Sequence, residues 1–163
     1  MMEYLARPLN VHIRFGFPNH TDIHQPWGHW FENGKVMPLS PTHFYSLSEL
    51  IAPAGDVSVT LANYVLFLQE NLKAWKGKSK FLTSEAVEFL HRGKPMYAMG
   101  WGNALPGDQA LSWHDGSAGT FYCHVIVNKE LDGAVVVWTN AGDMNYVKAL
   151  NQFHQKLVDH YLK

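Results

Sequence analysis

The chain has 163 residues, 47% of them hydrophobic and 17% charged, enough for one domain that buries about 70% of its unfolded surface. Thirteen Lys+Arg stand against 14 Asp+Glu, a net charge of −1, so no basic excess exists to grip nucleic acid by displacing counterions. The single cysteine, Cys123, excludes an intramolecular disulfide and a cysteine-based zinc site within the chain, and no apolar run approaches a bilayer span.

The stretch Met1–Arg14 lacks the basic-then-apolar pattern of a signal peptide, which leaves localisation open. Residues 1–56 read as irregular. They contain Pro8, Pro18, Pro26, Pro38, Pro41 and Pro53 together with Gly16, Gly28, Gly34 and Gly55. Each proline removes a donor and restricts its neighbour, so regular elements there should be short. The aromatic residues Trp27, Trp30, Phe31, Phe44 and Tyr45 suit a segment that packs over another part of the fold.

A helix is expected next. Thr60 caps it, and Leu61, Val65, Leu68 and Leu72 recur on one face, with Gly77 in the break that follows. A second, shorter helix runs from an N-cap at Thr83 to His91 and Arg92, with acid at its start and base at its end, and Gly93 stops it. From residue 96 the pattern changes to strands: Met96–Asn103, Ala110–His114, Thr120–Asn128 and Ala134–Thr139. Asp132-Gly133 forms the last turn. The run from Ala134 to Trp138 is apolar on both faces and suits burial on both. A final helix opens at Asp143 with a stripe of Tyr146, Leu150, Phe153, Leu157 and Tyr161. This order predicts an α+β fold, an antiparallel sheet with the C-terminal helix packed on it, in a single domain spanning 1–163.

Three groups of residues bear on chemistry. His20, His24 and His29 lie within ten residues, but Pro18 and Pro26 argue against a helix that would align them, so surface loop histidines are the simpler reading and no metal site is assigned. Cys123 and His124 are strand neighbours pointing to opposite faces, which prevents them from acting as a nucleophile–base pair; His114 and Asp115 fail in the same way. Cys123 shares its face with Phe121, Val125 and Val127 and reads as core. In Trp113 to Phe121 a strand ends in His114-Asp115-Gly116, and a small-residue stretch leads on. Gly116 and Gly119 allow close approach to backbone.

Several segments in order resemble the C-terminal half of the serine β-lactamase and penicillin-binding-protein-like family, in its class C and esterase branch. Pro53-Ala54-Gly55 followed by Ser58-Val59-Thr60-Leu61-Ala62-Asn63 resembles the family's Pro-Ala-Gly-Gly and the helix entry after it. Leu82-Thr83-Ser84-Glu85-Ala86-Val87, Tyr97-Ala98-Met99-Gly100-Trp101, His114-Asp115-Gly116 with Gly119-Thr120-Phe121, and Val135 to Asn140 resemble later family segments. Asp56 in place of Gly and Ala118 in place of Thr depart from the pattern.

The resemblance covers residues 50 to 162 and implies part of a serine acyl-transfer site. His114 would face the substrate, Gly116 would leave space for it, and the Ser117 backbone N–H would be one of two oxyanion donors. The family's other parts are absent. No Ser in this sequence is followed three residues later by Lys, and no Tyr-x-Asn occurs. The expectation is a chain without catalysis of its own and without a cofactor. Its last strand would keep an unpaired edge, since the family's N-terminal strands pair there. It would self-associate or join a chain carrying the missing half, and take a small acyl substrate only when completed. The alternative is a non-catalytic module that pairs through that edge. A metal-dependent hydrolase built on His20, His24 and His29 lacks a supporting carboxylate set.

Overall fold

The computed structural model describes residues 1–103 and 110–162; the Pro53 side chain is outside that description. A π-helical turn, Met2–Ala6, leads into α1 (Arg7–Leu9) and β1 (Ile13–Phe15). After α2 (Pro18–Thr21) come β2 (His29–Glu32) and β3 (Lys35–Pro38), then α3 (Ala52–Gly55) and β4 (Val57–Val59). The opening segment is thus less irregular than its proline content suggests. β2 and β3 form a hairpin around Asn33 and Gly34, both at positive φ (51° and 77°), as a tight two-residue turn demands. β1 pairs antiparallel with β4, Ile13 opposite Val59, and closes the segment on itself.

Aromatic residues of this segment pack against the loop 118–121, though not all those expected. Phe17 stacks on Tyr45 and on Phe121 (centroids 5.6 and 6.1 Å), and Trp30 meets His43 edge-on. A Cβ on Gly28 would collide with Thr120 and Phe121, so only glycine lets the backbone lie this close. Phe44 and Phe31 instead point to solvent.

α4 (Leu61–Trp75) is capped by Thr60, whose hydroxyl accepts from Asn63 N–H at 3.3 Å. It ends at Gly77 (φ 65°), where Lys78 N–H reaches Lys73 O and Gly77 N–H reaches Ala74 O. Its buried face is rotated from the expected one. Leu61 is half exposed, and Leu68, Asn71 and Ala74 are buried beside Tyr64, Phe67, Leu72 and Trp75. α5 (Ser84–Arg92) is capped by Thr83, whose hydroxyl accepts from Ala86 N–H at 3.1 Å, and Gly93 closes it.

The segment 96–103 is not the expected strand. Met96 and Gly100 take positive φ (68° and 91°), and Ala98 N–H bonds Trp101 O, which turns the chain back on itself. Only Gly102 joins the sheet, through Trp113. The main sheet has the order β5 (Leu111–Ser117), β6 (Tyr122–Asn128), β7 (Gly133–Thr139), all antiparallel. α6 (Met144–Tyr161), opened by Asp143 accepting from Asn145 N–H, packs mainly on β7. The fold is α+β, as the sequence indicated.

The ladder phase follows from one exchange. Gly102 N–H donates to Trp113 O at 2.8 Å, and Trp113 N–H to Gly102 O at 2.9 Å. Trp113 therefore turns its backbone groups away from β6, and by alternation so do Leu111, Asp115 and Ser117. Propagated through the register, the same alternation directs the N–H and C=O of Ala134, Val136 and Trp138 away from β6, toward the open side of β7. Near the end of that side His29 bridges in parallel to Ala141.

One face of the sheet packs on α4 and α5. Leu68, Trp101, Val125 and Val127 form its core, with Ala134 and Val136 against them. The other face carries α6. There the buried line is His154 flanked by half-buried Val147, Leu150, Asn151, Leu157 and Val158. The expected stripe is only partly inside: Tyr146 (41%), Phe153 (55%) and Tyr161 (69%) are exposed.

Candidate functional site

β5 carries His114, Gly116 and Ser117. Residues on a strand alternate, so His114 and Gly116 look toward the α4 side with Cys123 and Val125, while Asp115 and Ser117 look toward α6. His114 is half-buried, and its ring meets Trp101 edge-on at 6.2 Å. At Gly116 φ is not positive, and a Cβ there would stand 3.9 Å from both Cys123 and His114 Nε2, an ordinary contact. Neither backbone nor packing within this chain requires glycine at 116. Ser117 is exposed, and the ladder phase turns its N–H away from β6, to the outer margin of β5. The three residues thus line one strand end, with a side chain, an empty Cβ position and a backbone donor next to one another.

The opposite face of β5 and β6 holds a polar cluster that strand-by-strand reading does not find. Register places Asp115 opposite His124, and the Asp115 carboxylate accepts from His124 Nδ1 and from Tyr122 Oη (3.1 Å). His124 in turn meets the ring of His154 at 4.2 Å, and His154 Nε2 donates to Val135 O at 3.0 Å. Burial holds the His154 pKa below the ordinary histidine value. Asn151 Nδ2 donates to Tyr122 Oη at 3.4 Å. The signal for this pairing was the short loop 118–121, closed by Ala118 N–H to Phe121 O, which fixes the register.

Cys123 faces away from this cluster, and burial pushes its thiol up to about 12. His124 lies on the other face, and a thiol held protonated at neutral pH is a poor nucleophile. Burial likewise raises the Tyr64 phenol, whose ring lies 5.4 Å from Trp138 on the same side.

A further polar group lies inside the core. His91, expected as a charged residue at a helix end, is fully buried. It stacks on Trp101 (centroids 4.1 Å apart) and meets the tilted Trp75 ring at 4.4 Å. Asn71 Nδ2 donates to Phe67 O, which turns its Oδ1 toward His91 Nε2 at 3.2 Å. Nε2 therefore carries the proton, and Nδ1 accepts from Ser112 Oγ at 2.6 Å. Burial lowers the His91 pKa to about 3. Ser112 and Asn71 are equally buried, so this Ser–His–Asn row is closed to any substrate and serves the core.

The three N-terminal histidines part company. His20 lies on α2 with its ring against Phe17, α2 ends before His24, and His29 Nδ1 donates to Asn140 O at 3.0 Å. Among the described residues no group of three His, Cys, Asp or Glu side chains converges to hold a metal ion. Among them also, no helix is long and apolar enough to cross a membrane.

No protein-family model and no curated protein matches the chain. Solved structures do. The octameric penicillin-binding protein homologue from Pyrococcus abyssi is 16% identical, with a TM-score of 0.64; the match covers 95% of this chain and 36% of that one. FmtA from Staphylococcus aureus is 17% identical, with a TM-score of 0.65, over 91% of this chain and 39% of its own. The chain has part of the penicillin-binding-protein and β-lactamase fold, and spans less than two fifths of the length of these two structures.

Proposed function

We propose that this chain, acting as one unit over 1–163, is the C-terminal wall of a serine acyl-transfer fold of the class C and esterase branch, without turnover of its own. The observation that carries the reading is the strand end of β5. His114 and an unfilled Cβ position at Gly116 share one face, and the Ser117 N–H turns outward, away from β6, beside them. An acyl carbon held there would develop negative oxygen charge on attack, and a preorganised N–H stabilises it. His114 would place the substrate or a proton. The attacking hydroxyl, its activating amine and the second oxyanion donor are not supplied, since the sequence has no Ser-x-x-Lys and no Tyr-x-Asn. The substrate class in this reading is a β-lactam, a D-alanyl peptide or a small ester, taken only when a second chain or segment completes the site.

A second reading has its own observation. Among the described residues β7 pairs with β6 alone, and Gly133–Thr139 carries no charge. A strand-pairing module, binding a partner or itself, uses that edge directly. That one of the similar structures is octameric supports self-association. Hydrolysis of nitrocefin and of p-nitrophenyl acetate tests the first reading. The expected rate is that of buffer alone, the same in wild type and His114→Ala. Turnover that His114→Ala abolishes would show a complete site and overturn it.

A further inference from the structure

The C-terminal helix is seated on the sheet through a titratable side chain. We infer that His154 is an acid-sensitive latch, and that a second proton on its ring releases α6 from β6 and β7. The inference is independent of both readings above.

α6 has 18 residues, and His154 is the one among them that is fully buried. The apolar residues around it, Val147, Leu150, Leu157 and Val158, are only half-buried. A helix of this length is ordinarily held by a buried apolar face. Here the middle of that face is an imidazole, fixed by polar geometry. Its Nε2 donates to Val135 O on β7 at 3.0 Å. Its ring meets the ring of His124 on β6 at 4.2 Å and 74°, and His124 is tied to Asp115 on β5. One turn earlier, Asn151 Nδ2 reaches Tyr122 Oη, which donates to the same carboxylate.

This seat suits the neutral ring. Nε2 already carries the proton given to Val135 O, so a second would go to Nδ1, which has no acceptor among the described residues. The groups that face His154 offer little compensation. β5 brings Asp115, already bonded to His124 and Tyr122, and β6 brings those two residues themselves. β7 brings Val135 and Val137, and on α6 Lys148, Lys156, Asp159 and His160 are exposed. Burial therefore holds His154 below its ordinary value of 6.5, and His124 adds to the lowering, against the pull of Val135 O and Asp115. The released helix takes up the proton below pH 6.5 and the docked helix does not. The ratio of released to docked helix is thus lowest above pH 6.5 and rises as pH falls toward the lowered docked value, approaching about tenfold per pH unit. Release need not unfold the rest. The core on the other face, Leu68, Trp101, Val125 and Val127, contains no residue of α6.

Amide hydrogen exchange of the whole chain from pH 7.5 to 4.5, corrected for intrinsic exchange rates, tests this. Protection of the amides from Leu150 to Val158 should fall below pH 6.5, by up to about tenfold per unit, while Val125 and Val127 stay far better protected at every pH. His154→Gln keeps a donor for Val135 O and cannot gain a charge, so its α6 protection should not fall. Nitrogen NMR of the wild-type imidazole needs no variant to fold. It should show His154 neutral with its proton on Nε2, titrating only in step with the loss of α6 protection. Any of four results overturns the inference: α6 protection constant to pH 4.5 in wild type, equal protection of α6 and β6 throughout, the same pH profile in His154→Gln, or a His154 that titrates while α6 stays protected.

Discussion

Acid should destabilise this fold through His91, by an amount the core geometry fixes. Protonating His91 would place a charge between Trp75 and Trp101, where Asn71 and Ser112 are its hydrogen-bond partners. The native state therefore holds its pKa near 3, against 6.5 for the free side chain. An unfolded chain takes up the proton below pH 6.5 and the native chain does not, so the His91 contribution is complete above pH 6.5 and shrinks as pH falls toward 3. The slope is about 1.4 kcal/mol per pH unit, and the whole effect is about 5 kcal/mol. Urea unfolding of wild type and His91→Gln at pH 7, 5.5 and 4.5 measures it as the difference in slope. The variant should be less stable at pH 7 but lose less on acidification. His154, held down by burial, acts in the same direction and is present in both proteins, so it cancels. Equal slopes, or an imidazole titration of His91 near 6.5 by NMR, would refute the reasoning.

Thr83→Ala removes the acceptor for Ala86 N–H and should cost about 1 kcal/mol in the same urea assay. Gly116→Ala should change stability by no more than about 0.5 kcal/mol, because a Cβ there meets only ordinary contacts. Gly102→Ala should cost about 1–3 kcal/mol, since the Trp113 ring already occupies that place. Cys123 carries on the order of 10³-fold less thiolate at pH 8 than an unperturbed thiol, so a thiol reagent should label it only as the protein unfolds. Fast labelling of native protein at a rate unaffected by urea would contradict its placement.

The parts of the fold that local chemistry dictates were readable in the sequence. Thr60, Thr83 and Asp143 cap their helices through their own side chains, and Asp132-Gly133 turns β6 into β7. Asn33-Gly34 was an equally direct hairpin signal, obscured by the prolines around it. What escaped depends on register or on tertiary partners. Asp115 meets His124 only because the loop 118–121 has the length it has. On α6, neighbouring stripes of a 3.6-residue period compete. The core took the line through Asn151 and His154, where Asn151 Nδ2 donates to Tyr122 Oη and His154 Nε2 to Val135 O, leaving Phe153 outside. His91 looked like a helix-end cation, and only the Asn71 and Ser112 partners make its burial tenable. Of the candidate site, His114, Gly116 and Ser117 could be named from the motif. The outward direction of the Ser117 N–H required the Gly102–Trp113 exchange.

We propose that this chain holds the wall of an acyl-transfer site without its nucleophile. Intact mass after incubation with a penicillin and, separately, with a fluorophosphonate tests it most directly. The unmodified mass is expected in both samples. A single stoichiometric adduct would contradict it, and peptide mapping would then identify the nucleophile around which the site must be rebuilt.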